Sequence, residues 1–149
     1  YMKTFLFLIF LSVSTLSNAD CIIQSSKHDD LAKSIKEKGW DFENYDTLCN
    51  ELKKNKLALD ITQISQISPY QTSVMTTVKA YPVDLETKYS IKILSKSSYT
   101  SIEYDEERTS AMKNKLLYEN ANYNLNELSK TGKLEIMVKE INQIRERLK

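Results

Sequence analysis

The stretch Tyr70-Gln71-Thr72-Ser73-Val74-Met75-Thr76-Thr77-Val78-Lys79-Ala80-Tyr81 decides the architecture. It follows Ser68-Pro69 and is dense in β-branched residues, so it reads as one long strand. With a period of two, Thr72, Val74, Thr76, Val78 and Ala80 form the inner set. Gln71, Ser73, Met75, Thr77, Lys79 and Tyr81 then point outward. Upstream, Leu57, Leu59 and Ile61 alternate with polar residues and predict a partner strand, with a slip between Ile61 and Ile64 that reads as a bulge or a strand end. Downstream, Pro82 to Thr87 reads as a turn. Lys88 to Leu94, alternating through Tyr89, Ile91 and Ile93, reads as a third strand, and the Ser-rich run from Ser95 to Ser101 as a loop. Three strands with short connections predict an antiparallel meander with one face on helices and the other toward solvent.

On either side the period changes to 3.6. Asp29 or Asp30 can cap a helix whose inner side carries Leu31, Ala32 and Ile35, with Gly39 before Trp40 as its stop. A second helix from about Asn44 to Asn55 places Tyr45, Leu48, Cys49 and Leu52 on one stripe. After the strands, Ala111, Tyr118, Ala121, Leu125 and Leu128 line one long helix, Thr131 and Gly132 break it, and Leu134, Met137, Ile141, Ile144 and Leu148 line another. The fold expected is therefore α+β: two N-terminal helices, a three-stranded antiparallel meander and a C-terminal helical hairpin.

The N-terminus carries its own signal. Met2 and Lys3 precede a run of about nine apolar residues from Phe5 to Val13, and Ser17 and Ala19 stand three residues and one residue before a cut ahead of Asp20. A spanning helix needs about twenty apolar residues, so the reading is a cleaved secretory signal over residues 1–19, with Tyr1 as an artefactual leading residue. Cys21 stands where a bacterial lipoprotein carries its acylated cysteine, but Asp20 replaces the small residue that lipidation requires. Export leaves Cys21 and Cys49 to pair with each other, closing a loop of about 29 residues and adding about 3.6 kcal/mol in the chain-entropy account. Residues 20–149 then make one disulfide-linked domain. Ten asparagines without a glycosylation sequon, in a Lys- and Ile-rich chain, favour a bacterial periplasm over another extracellular setting.

The chemistry a sequence can announce is mostly missing. Without Lys3, the 20 remaining Lys and Arg balance 20 Asp and Glu, which gives no field for nucleic acid or an anionic membrane. His28 is the single histidine and sits in Lys-His-Asp-Asp, with neither a nucleophile nor an orienting partner in view. One histidine and two paired cysteines build no zinc site, and Gly39 and Gly132 belong to no phosphate-binding loop. The expectation is no catalytic residue, no metal and no cofactor. Glu103, Asp105, Glu106 and Glu107 cluster before the long helix, where first-turn acids complement the helix dipole.

What remains is surface. The outer residues of the long strand, beside Lys88, Ser90 and Lys92 of the expected third strand, mix an aromatic, a flexible Met and long amphipathic side chains. Met75, Lys79, Tyr81 and Lys92 are accordingly the binding residues expected. The function that fits is an exported protein-binding module, of the inhibitor, immunity or assembly-accessory kind. A small hydrolase using paired carboxylates and a carrier of an apolar ligand are the competing classes. The stripe of the last helix is the expected route to any homo-oligomer.

Overall fold

The computed structural model describes residues 21–25 and 29–149. The expected signal segment and His28 lie outside the described residues. Nine elements follow in order: β1 (Ile23–Ser25), α1 (Asp29–Lys38), α2 (Tyr45–Lys54), β2 (Leu57–Ile67), β3 (Thr72–Pro82), α3 (Val83–Tyr89), β4 (Tyr99–Asp105), α4 (Ser110–Lys130) and α5 (Lys133–Arg147). The four strands form one mixed sheet in the order β1-β2-β3-β4, with β1 parallel to β2 and the other two pairs antiparallel.

The protein is α+β, but the layout differs from a three-stranded antiparallel meander between helix pairs. Residues 83–89 are helical and 90–94 join no strand, so Lys88 to Leu94 is not the third strand. Pro82 in extended conformation starts α3, and Ser90, with φ of 56°, ends it. In between, Leu85 is buried and Asp84 is clamped by Arg145 of α5, at 2.7 Å from Nη2 and 3.1 Å from Nε. The same guanidinium donates to the carbonyls of Asn55 and Lys56 at 3.0 and 3.2 Å. One arginine thus ties α3, α5 and the end of α2 together, and this anchoring outweighs the weak alternation of Tyr89, Ile91 and Ile93.

The strand that pairs with β3 lies later, over Tyr99–Asp105, largely beyond the expected loop. No bulge interrupts the central hairpin either. Pairing runs unbroken from Leu57 opposite Pro82 to Ile67 opposite Thr72, so the slip at Ile64 sends that side chain to the outer face.

The helices α1, α2, α4 and α5 pack on the inner face. Leu57, Leu59 and Ile61 of β2 and Val74, Val78 and Ala80 of β3 are buried, Thr72 and Thr76 with them. The core joins the β2 set, Val78 and Ala80 to Leu31 of α1, Leu48 and Leu52 of α2, Ala121, Leu125 and Leu128 of α4, and Leu134, Met137 and Ile141 of α5. The stripe of α5 therefore faces this chain's own core as far as Ile141, and only its end, at Leu148, is exposed. Gly39 at φ +75° closes α1, its amide bonding Ile35 O at 2.8 Å. No described helix is long and apolar enough to cross a membrane.

Cys21 and Cys49 stand at disulfide-bonding distance, with Cα atoms 5.1 Å apart. The link fastens Cys21, two residues ahead of β1, to the buried side of α2, and Ile22 O accepts from the amide of Leu59 at 3.0 Å. β1 has only three residues, too few for its own pairing to hold it firmly. Replacing Cys49 with Ala is expected to lower stability by about 2–4 kcal/mol and to loosen β1, read by urea unfolding and by amide exchange at Leu59 and Ile61.

Two carboxylates give the fold an acid limit. The Arg145 hydrogen bonds hold Asp84 below its ordinary range against the opposing effect of burial. Burial alone would raise Glu140, but the hydroxyl and amide of Ser97 bond its two oxygens at 2.5 and 2.9 Å and bring it lower. Folded-state values below the unfolded ones mean that stability is intact above the ordinary carboxylate range and is lost as pH falls through the lowered values. In urea midpoints measured across that window, Asp84→Asn should be less stable at neutral pH by about 1–2 kcal/mol and should flatten the acid limb.

Candidate functional site

The outer face of the sheet divides into two halves of opposite character. The proximal half is closed. Tyr81 does point outward, but it is 0% exposed, because the segment after α3 lies over it. Lys92 Nζ sits 4.6 Å from the Tyr81 ring centroid, 3.2 Å from Asp60 Oδ1 and 2.9 Å from Gln24 Oε1. Asp60, on the outer side of β2 opposite Lys79, is itself buried. Ser95 then docks on the edge of β3, its amide donating to Ala80 O at 2.8 Å and its hydroxyl accepting from Ala80 N at 3.1 Å.

This arrangement has a clear electrostatic signature. Burial, helped by the charges of Glu86 and Asp60, pushes the Tyr81 hydroxyl up to about 12. Tyr81 and Lys92 meet, but Lys92 reaches the buried ring from the irregular chain after α3 and not from a third strand, so the two form a cation–aromatic–carboxylate nest whose ammonium end is still solvent-accessible. Lys79 is half-buried beside them.

The distal half is open. Ile64, Met75 and Ile102 are direct cross-strand neighbours on β2, β3 and β4, forming one apolar row. Ile64 is 60% and Ile102 65% exposed, and Met75 lies half-buried between them. The next row runs Gln66, Ser73, Tyr104, with Tyr104 68% exposed. On the other side Thr62, Thr77 and Thr100 form a hydroxyl row, Thr77 and Thr100 sharing a 2.9 Å hydrogen bond. Of the four expected binding residues, only Met75 stands in this open region, and the sequence reading missed Ile64, Ile102 and Tyr104. Their signal was present: each is a large apolar or aromatic residue out of phase with the core set of its strand.

Beneath this apolar surface the inner face is mixed: Val74 packs on Leu116 and Leu117 of α4, and polar side chains stand beside it. Gln63 Nε2 donates to Thr76 Oγ1 and to Leu117 O, both at 2.8 Å. Asn124 Nδ2 donates to Asn120 Oδ1 at 3.1 Å, and Asn120 Nδ2 to Ser101 Oγ at 3.0 Å. Gln63, Thr76, Asn120 and Asn124 are all buried between α4 and the sheet.

The acidic cluster is not a helix first turn. Glu103 and Asp105 belong to β4 and alternate with Ile102 and Tyr104, so they lie on its helix-facing side. Asp105 Oδ1 accepts from the Glu107 amide at 2.8 Å, and α4 is capped by Thr109 Oγ1, which accepts from Met112 N at 3.0 Å. Burial raises the Glu103 carboxyl, and the charge of Glu119 adds to this against an opposing Asn120 hydrogen bond. No trio of metal-ligating side chains occurs among the described residues. Comparison with protein-family models, with curated proteins and with solved structures found no match.

The closed half can be tested by a mutant cycle. Lys92→Met leaves the buried Asp60 without its ammonium partner and is expected to cost about 3 kcal/mol in urea unfolding. Adding Asp60→Asn should recover most of that loss.

Proposed function

We propose that this protein is an exported protein-binding module whose contact surface is the distal outer face of the sheet, centred on Ile64, Met75, Ile102 and Tyr104. One observation carries the reading: this half of the sheet keeps an aligned apolar row on its open side, although much of its helix-covered side is polar. Amides, hydroxyls and a carboxylate share the helix-covered side with Val74, while isoleucines, a methionine and a tyrosine stand on the open side. Scattered exposed apolar residues are ordinary, but an aligned row across three strands is a contiguous patch of the kind that a partner covers. Its content suits a protein partner. Aromatic and Met side chains are enriched at interface cores, and a rim of threonines and Gln66 supplies hydrogen-bonding groups.

The balanced charge supports a protein partner over nucleic acid or an anionic membrane. Export, with a periplasmic or extracellular working place, is supported by the pattern of residues 2–19 and by the disulfide-distance pair Cys21 and Cys49. Inhibition of, immunity to, or assembly with that partner are the roles open to a binding surface without a catalytic constellation.

A photo-crosslinking residue placed at Ile64 or Ile102 in the producing cell is expected to capture one protein, whereas the same residue at exposed Ile136 of α5 should not. Ile102→Lys should keep stability within about 0.5 kcal/mol, since the side chain is mostly solvated. It should weaken binding to the captured protein by roughly thirtyfold, the effect of losing a central anchor of about 2 kcal/mol. Affinity unmoved by Ile64→Lys and Ile102→Lys together would place the interface elsewhere.

A further inference from the structure

We infer that the partner joins the sheet itself, by laying an extended segment along the free edge of β4 with a basic side chain opposite Glu103. This rests on reading the distal face as the contact surface and specifies how that surface is engaged.

The first support is the edge. β4 is the terminal strand, its pairing runs only to β3, and among the described residues no other backbone hydrogen bond engages Tyr99–Asp105. Seven residues of free edge in extended conformation are a template for one more strand. The second is continuity. A strand added there would place its outward side chains beside Thr100, Ile102 and Tyr104, extending the Ile64–Met75–Ile102 row by one position.

The third support is charge, which also selects the occupant. On the inner side of β4, Glu103 makes no ion pair among the described residues, while Glu119 of α4 pairs with Lys115 at 3.9 Å. Asn120 provides Glu103 a hydrogen bond but no charge, and burial together with Glu119 disfavours its ionised form. An inward carboxylate on an edge strand blocks indiscriminate pairing, because an apolar or acidic newcomer leaves it desolvated and unpaired. A Lys or Arg at the facing position removes that penalty. A second copy of this chain is a poor occupant, since β4 against β4 gathers two copies each of Glu103, Asp105 and Glu119 at one junction. The segment that fits alternates: apolar or threonine residues on one side, small or polar residues with one central cation on the other.

The test uses a displayed library of random decapeptides selected against the protein, followed by amide exchange of the isotope-labelled protein with the best peptide. Selection is expected to enrich alternating peptides with a central Lys or Arg, and binding should slow exchange along Tyr99–Asp105. Glu103→Lys should weaken that peptide at least about tenfold, and exchanging the peptide's cation for Glu should restore binding to the variant. Glu103→Gln, which keeps the shape, should lose the preference for a cation without loss of folding.

Enrichment of peptides without a cation, protection along Thr62–Ile67 instead of β4, or concentration-dependent self-association protecting β4 would each overturn the inference. Perturbation of Ile64, Met75 and Ile102 without protection of the β4 amides would overturn strand addition while leaving the face as the contact surface. A selected peptide that affects neither would remove both.

Discussion

The uninterrupted register of the β2–β3 hairpin is the constraint on which everything else depends. Eleven residues on each strand pair without a bulge, so each side chain's face is fixed by parity. That parity puts Leu57, Leu59, Ile61, Val78 and Ala80 under the helices, and it equally puts Ile64 and Met75 outside. A shift of one residue would bury Ile64 and Met75 but would expose the whole proximal core. The proximal half, being larger and better packed, sets the register, and the distal half accepts its consequences.

Those consequences are managed on both faces. Inside, Gln63, Thr76, Asn120, Asn124 and Ser101 are joined in a hydrogen-bonded network that satisfies their amide donors, while Asn124 Oδ1 finds no partner among the described residues. Such a network contributes less net stability than apolar packing, but it tolerates only one placement of α4 over the sheet, because a sliding helix would leave several amides unpaired at once. Outside, the proximal half is sealed by the segment after α3, with Lys92 neutralising Asp60 over the Tyr81 ring. The distal half has no such cover. The contrast within one face of one sheet separates a packed half from an exposed one.

Much of this was legible in the residues. The inner set of β3, the two short helices with their stops at Gly39 and Asn55, the Cys21–Cys49 pairing and the break between α4 and α5 all follow from periodicity and punctuation, which report local geometry directly. The failures have a common physical origin. β4 carries Ile102 and Tyr104 outward and Ser101, Glu103 and Asp105 inward, with Tyr99 alone of its apolar residues facing the core, so its alternation does not show a core-facing apolar set. α3 is held by a long-range clamp, Arg145 on Asp84, that no local pattern announces. β1 is three residues placed on the sheet beside a covalent link, too short to show any period.

The same logic explains why the expected binding residues divide between the covered and the open halves of the outer face. Treating the outer parity of β3 as one surface assumed that nothing crosses it, whereas the chain after α3 covers Tyr81 and brings Lys92 down onto Asp60. Out-of-phase apolar residues were the more informative signal. At Ile64 and Ile102 the sequence spends hydrophobic side chains where the fold gains little from them, while placing Gln63 and Ser101, their neighbours in sequence, where the fold must satisfy buried polar atoms. Local choices that oppose the global pattern are costly to a chain that need only fold. The two strands on either side of β3 make the same opposed choice at the positions that flank Met75, and the open edge of β4 lies beside them, which is the placement that the proposed contact uses.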